Sequence, residues 1–272
     1  MSKTIKIIVK ISAFITFGTL FFLIGYILIK GIPNLNLSMF KVKYTTDNVS
    51  LFPAMITTIM LVFLTLIIAT PIGIFTGFYL VEYAKKGNIF VEIIRIATET
   101  LSGIPSIIYG LFGMLFFVIK LNFKFSLLAG TLTSVIMVLP LIIRTTEEAL
   151  LSVDNSLREA SFALGAGKLR TIFRVVLPVA IPGILSGIIL SIGRIVGETA
   201  ALIFTLGTVP KIPKNLFSSG RTLALHMYVL STEGFHVKES YATGVVLLII
   251  VLIINKISTL LSNKLAKENQ NE

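Results

Sequence analysis

Six stretches of this chain run near or beyond the ~20 apolar residues an α-helix needs to cross the hydrocarbon core of a bilayer, and no other feature limits the fold so severely. They are Ile5–Ile29, Leu51–Val81, Ile96–Ile119, Phe125–Ile143, Pro178–Leu206 and Tyr241–Leu261. Composition agrees: 55% of the 272 residues are hydrophobic, 14% are charged and the mean hydropathy is +0.94. That is more apolar surface than a soluble domain of this size needs. The expected fold is an all-α polytopic membrane bundle of six transmembrane helices. Lys3, Lys6 and Lys10, at the start of the first stretch, give it the look of a secretion signal. Its apolar core is too long and no A-x-A pattern follows, so it reads as a retained helix.

The basic excess has a membrane explanation. Lys+Arg number 24 against 13 Asp+Glu, a net charge of +11 that in a soluble chain would suggest nucleic acid. No aromatic–basic interleaving accompanies it, so nucleic acid is set aside, whereas basic residues hold loops on the cytoplasmic side. With the N-terminus inside, 14 basic residues fall on the inner side, among them Lys85, Lys86, Arg95, Lys264 and Lys267. Nine fall outside, and Arg194 alone stays within the membrane. The bias places both termini in the cytoplasm of a multi-pass cell-membrane protein. Cysteine is absent, which excludes disulfides, Cys-ligated metal and Cys nucleophiles. His226 and His236 have no His or Cys companion, so no metal site is expected.

Two stretches carry small-residue pairs that let helices approach closely: Gly73 and Gly77 in the second, Gly183/Gly187 and Gly193/Gly197 in the fifth. Pro71 and Pro182 are expected to kink or start helices.

Between the fourth and fifth stretches lies "REASFALGAGKLRTIFRVVLP", Arg158–Pro178, a charged, glycine-broken island. Its GAGK suggests a nucleotide-binding loop and fails the test. Such a loop needs G-x-x-x-x-G-K-[ST], whereas Phe162 occupies the first glycine position and Leu169 replaces the hydroxyl that would hold magnesium. No other stretch supplies that loop, so the chain is not expected to hydrolyse ATP. What the island encodes is local structure. Ser156-x-x-Glu159 has capping-box spacing and predicts a helix start at Ser156; Gly165 and Gly167 predict its end. Lys168, Arg170 and Arg174 follow before Leu177-Pro178 returns to the membrane. The result is a short helix, a bend and a second short helix parallel to the bilayer. On physics alone this is a basic amphipathic loop on anionic lipid or an element offered to a partner.

Glu159-Ala160-Ser161, then Gly165, then Val175-Val176-Leu177-Pro178 after nine intervening residues, resembles the E-A-A-x-x-x-G-x9-I-x-L-P signature of ABC importer permease subunits. Ser161 and Val175 are small departures. "LSGIPSIIYGLFG" (Leu101–Gly113), Leu139–Ile184, "IGRIVGETAAL" (Ile192–Leu202) and "GRTLALHMY" (Gly220–Tyr228) together resemble the PstA-type permeases of phosphate importers, over nearly everything from Leu51 to Leu261. The resemblance implies a type I importer permease architecture. Residues 1–49 would form an N-terminal transmembrane helix and outer segment, 50–262 the permease domain and 263–272 a cytoplasmic tail. It implies uptake of inorganic phosphate, with Glu159, Ala160, Ser161 and Gly165 in a coupling helix that docks on a dimer of ATP-binding subunits. ATP and magnesium would sit on that dimer, with no cofactor in this chain. A second, PstC-like permease and an extracytoplasmic phosphate-binding protein complete the set. The outer segment from Leu206 to Tyr241, mostly irregular with one helix around Thr222–Leu230, is the part expected to touch the binding protein.

Arg194 and Glu198 lie four apart, on one face of the fifth stretch, roughly 24 Å of helix beyond Pro178. Charges at that depth face a bundle interior or an aqueous path. One reading has Arg194, with Glu198 and Thr199, lining the phosphate path, because a guanidinium offers bidentate donors to an oxyanion and the flanking glycines leave room. The other is an internal ion pair that locks packing. Arg144, closing the fourth stretch, reads as an interface anchor, and Glu99 as a charge at the cytoplasmic interface. Gly103-x-Pro105-Ser106 breaks the third stretch, either to line a pathway or to permit a kink.

Other classes fit less well. A secondary transporter would leave the island without a purpose, and no inverted repeat is evident. An intramembrane enzyme needs a paired catalytic set, which Arg194 and Glu198 do not make. An arginine in a passage reads charge and rough size only, so a permease for sulfate, molybdate or another oxyanion fits the same residues.

Overall fold

The computed structural model describes residues 3–84 and 87–268. Lys85 and Lys86, counted above among the inner basic residues, the last four residues of the expected tail and the side chains of Lys264 and Lys267 lie outside the described residues. Every regular element among the described residues is helical. In chain order they are α1 (Lys3–Gly31), α2 (Phe52–Phe78, ending in a π turn, Tyr79–Tyr83), α3 (Ile89–Gly103), α4 (Ser106–Gly113, continued by a π segment, Met114–Lys120) and α5 (Leu127–Leu151). Then come α6 (Asn155–Ala163), α7 (Lys168–Thr171, continued by a π turn, Ile172–Val176), α8 (Leu177–Gly197), α9 (Ala200–Ile203), α10 (Leu223–Glu233) and α11 (Val237–Glu268). Five runs are long and apolar enough to cross a membrane: α1, α2, α5, the α7–α8 run and α11. α3 and α4 pass the same length and composition test together, bent by 105° between them, and make a sixth if the pair is one span.

α5 is the hub. α2 lies along it through Gly73 and Gly77, where a Cβ would run into Ile142 and Thr146, and α8 through Gly183 and Gly187, where it would meet Ala149 and Thr145. Lipid tails are as apolar as leucine, so close approach of this kind, rather than apolar burial, holds such helices together. Gly193 and Gly197 do not take part, contrary to expectation: a Cβ on either would meet nothing within 4 Å. They leave space instead of closing it. α1 stands apart, packed at Gly31 against Tyr241 and Val245 of α11, while Phe14, Phe17 and Phe22 project outward as lipid-facing residues do.

Three boundaries differ from the hydropathy reading. The fourth span runs to Leu151, so Arg144 is not its last residue. Glu148, one turn on, pairs with Arg144 at 2.9 Å, and Glu147 takes Arg95 of α3 at 2.6 Å, a charge ladder that carries the helix past its apolar run. The fifth helical run begins ten residues before Pro178, at Lys168, and ends at Gly197, where Glu198 turns extended (ψ 130). The third stretch is two helices: Ile104 is extended (φ −73, ψ 130), as a residue before proline prefers to be. Tyr109 reaches back across the bend, its hydroxyl donating to the Leu101 carbonyl at 2.6 Å.

The segment between α9 and α10 is irregular, and α10 matches the helix expected near Thr222–Leu230. Thr222 caps it by accepting from the Leu225 N–H at 3.4 Å, and Gly234 at φ 77 ends it. α11 continues unbroken past residue 262, so no change in backbone marks the expected tail.

Candidate functional site

The charged island is a rigid corner. α6 starts at Asn155 because Asp154, not Ser156, is the cap: its carboxylate accepts the Ser156 N–H at 2.9 Å. That bond holds the Asp154 carboxyl below its ordinary pKa. Glu159 is exposed and makes no capping bond, so the expected capping box does not form. The helix ends in a Schellman motif, with the Ala166 N–H donating to the Ser161 carbonyl at 3.1 Å and the Gly165 N–H to the Phe162 carbonyl at 2.9 Å. Gly165 sits at φ +81; Gly167, at φ −71, instead opens α7. Of the two glycines only Gly165 stops the helix.

Ser161 does what alanine in that place would not: its hydroxyl meets that of buried Thr171 at 2.8 Å, tying α6 to α7. Around the exposed Ala160, the side chains of Leu157, Phe162 and Leu169 are exposed and Leu164 is 89% exposed, an apolar ridge on a charged loop. Gly165→Ala would meet no neighbour within 4 Å, yet it forces a Cβ into the left-handed region at about 1–2 kcal/mol. Amide exchange in α6 is expected to quicken while the membrane helices keep their protection.

Sequence reasoning missed the element that anchors this corner. Glu82, in the π turn closing α2, accepts from Arg158 Nη2 at 3.1 Å and Nε at 3.2 Å, with the two side chains 10% and 15% exposed. Arg158 also donates to the Val153 and Leu150 carbonyls at the end of α5, both at 2.8 Å. Lys168 Nζ donates to the Glu82 carbonyl and stands 4.7 Å over the Tyr83 ring. The corner is therefore fastened to α2 and α5 by charge, and through α7 it continues into α8. A lone acid at the end of "FYLVEY" was the only signal.

Within the membrane, the expected pairing of Arg194 with Glu198 is not made: no ion pair joins them. Helix α8 ends between them. Glu198 is 7% exposed and its carboxylate accepts the Ala201 N–H at 2.9 Å, capping α9. Arg194 stays on α8, half-buried, with free space at the neighbouring Gly193 and Gly197. Gly197 and Thr199 line a cleft of about 480 Å³ together with Ile107, Tyr228 and Ser231. The break in the third span meets the break in the fifth, since Gly110 of α4 lies so close to α9 that a Cβ would fall 2.7 Å from Ala201 Cα. Gly103 and Pro105 are exposed at that bend and Ser106 half-buried. A guanidinium whose carboxylate neighbour has turned away keeps its fork free for an oxyanion.

The remaining candidates sort themselves by position. Arg144 is an exposed member of the charge ladder rather than an end anchor, and Glu99 lines a small cleft with it, Arg95 and Glu147. Among the described residues no group of His, Cys, Asp and Glu could hold a metal. His236 lies 3.7 Å from Glu239, and His226 is fully buried.

A family model described as "binding-protein-dependent transport system inner membrane component" matches residues 69–268. The chain is 35% identical over 251 residues to the probable ABC transporter permease protein YqgI of Bacillus subtilis (strain 168), covering 86% of this chain and 85% of that one. It is 38% identical over 188 residues to the phosphate transport system permease protein PstA of Mycobacterium leprae (strain TN), covering 69% of this chain and 61% of that one. Among solved structures, a chain of the bacterial alginate ABC transporter in complex with an alginate pentasaccharide-bound periplasmic protein superposes with a TM-score of 0.67 at 18% identity, covering 97% of this chain and 98% of that one. That likeness is one of fold.

Proposed function

The chain belongs to the binding-protein-dependent transport system inner membrane component family, whose members here are ABC importer permease subunits, and from that premise we propose that its cargo is inorganic phosphate. The observation that carries the coupling half of this reading is the α6 corner: a capped helix, stopped by a left-handed glycine, fastened to α2 and α5, and holding an apolar ridge outward. A rigid corner passes a push into the helices behind it, where a floppy loop would absorb it. On this reading α6 and both termini face the cytoplasm, and α6 seats in a groove of a dimeric ATP-binding subunit, where ATP and magnesium bind. A PstC-like permease forms the other half of the path, and a phosphate-binding protein delivers the anion to the face that holds α10.

Phosphate as cargo is supported by the likeness to PstA permeases and by Arg194, free of its expected partner beside a helix break. Two experiments test the reading. Ala160→Cys, in a chain with no other cysteine, should cross-link to a cysteine in the groove of the ATP-binding subunit in the functional complex; absence of the cross-link refutes docking through α6. In vesicles, uptake of labelled phosphate should be suppressed at least tenfold by excess unlabelled phosphate and left unchanged by sulfate or molybdate. Suppression by sulfate or molybdate instead would reassign the cargo.

A further inference from the structure

On the side opposite α6, Arg221 precedes the Thr222 cap of α10 and is 4% exposed, and His226, one turn into that helix, is 0% exposed. The guanidinium carbon lies 4.9 Å over the ring of Tyr44, in the segment between α1 and α2, and the Tyr44 and His226 rings meet edge-on at 6.2 Å. Among the described residues no carboxylate pairs with Arg221. Burial pushes the guanidinium pKa down, outweighing the hydrogen bond and charge of the Tyr44 side chain and the more distant Glu233 at the far end of α10. Nε and Nη2 of Arg221 have no hydrogen-bond partner, while the Tyr44 side chain meets the rest of the guanidinium; the His226 ring nitrogens lack a well-formed bond and have only the Val49 backbone beside them. Burial and the Arg221 charge, against the pull of the Val49 backbone, lower the His226 pKa to about 3, so the imidazole is neutral and carries one N–H.

A buried cation with no counter-charge is costly. Nε and Nη2 form one edge of the guanidinium, the edge that grips two oxygens of an oxyanion at once. We propose that Arg221 and His226, covered by Tyr44, form a second oxyanion site, separate from Arg194, which takes a phosphate group either as the free anion or as a lipid headgroup. Arg221 supplies the bidentate fork and His226 a third donor. Tyr44, half-buried, is the member that solvent reaches and is the cover that has to swing aside. Lys41 and Lys43, exposed in the same segment, and the positive end of α10 add to the attraction. The site recognises a phosphate group whether or not phosphate is what the importer carries, so it does not rest on the cargo proposed above.

The test is thermal unfolding of the full chain, stripped of lipid, in phosphate-free maltoside micelles at constant ionic strength. Potassium phosphate at ten times its Kd should raise Tm by about 3 °C over potassium chloride. Arg221→Met should abolish that rise and raise the anion-free Tm, since it removes an uncompensated charge; Arg194→Gln should keep the rise. Should Arg221→Met fail to fold, His226→Phe carries the same test, and the phosphate midpoint should increase about tenfold. A rise with phosphatidylglycerol but not with inorganic phosphate, lost in the same variants, assigns the site to a lipid headgroup. The proposal is overturned if neither ligand gives a rise that depends on Arg221, or if the rise disappears with Arg194→Gln alone.

Discussion

Glu82→Arg is expected to leave the permease in the membrane with α6 docked, yet to cut phosphate uptake by about tenfold to a hundredfold, and Arg158→Glu added to it should recover most of the loss. The Glu82–Arg158 pair is mostly buried, and removing one member of such a pair costs about 3 kcal/mol because the other is left uncompensated. Reversal is worse than removal. It sets a new cation beside Arg158, close to Lys168, whose Nζ already donates to the residue-82 carbonyl. The corner would then lose its charge tie to α2 and be held only through α7 and the Arg158 bonds to α5. ATP hydrolysis should persist while transport falls, so the quantity to measure is ATP consumed per phosphate moved in vesicles. The swapped pair restores opposite charges at the same distance, though not the bonds from Arg158 to the Leu150 and Val153 carbonyls, so recovery should be large and incomplete. A double variant no better than Glu82→Arg alone would show that the charge pairing is not what carries the push.

How far the sequence reading reached follows from what hydropathy and spacing can report. Long apolar runs demand helices whatever surrounds them, so the five unbroken spans were evident, as was α10. Their ends were not. An apolar count stops at the first charge, whereas α5 runs on to Leu151 because Arg144, Glu147 and Glu148 find partners on its own surface and on α3. The π turns at Tyr79–Tyr83 and Ile172–Val176 leave no mark in residue spacing, and both sit where the corner joins its helices.

Local codes were ambiguous in a similar way. Asp154 and Ser156 are both capping residues, and the choice between them depends on the turn that α5 makes at Ser152 and Val153. Gly165 and Gly167 look alike, but only the first has positive φ. Three glycine pairs shared one spacing. Two meet α5, and the third borders open space, because ten residues along α8 turn a pair about 80° away from the face of the one before it. The ion pair between Arg158 and Glu82, 76 residues apart, belongs to tertiary structure and to no local pattern.

Glu198→Gln is expected to leave transport within about twofold of normal, whereas Arg194→Gln should lower it about a hundredfold, and the double variant should be as defective as Arg194→Gln alone. An intact helix through this region would have set the two charges one turn apart, and then a double neutralisation would rescue either single one. The break after Gly197 removes that linkage. What Glu198 does is accept the Ala201 N–H, and a glutamine oxygen can accept the same bond at the same reach. Alanine cannot: Glu198→Ala should cost about 1 kcal/mol as a lost cap and loosen α9, which rests on Gly110 of the other broken span. Arg194→Lys separates charge from geometry, since an ammonium keeps the positive charge but replaces a planar fork with a point donor; uptake should fall about tenfold, one lost charge-assisted bond. Initial rates of labelled phosphate uptake in vesicles, corrected for the amount of assembled complex, compare the five variants with the parent. Rescue of Arg194→Gln by Glu198→Gln would mean that the two side chains meet during the transport cycle and that Arg194 serves packing rather than the anion.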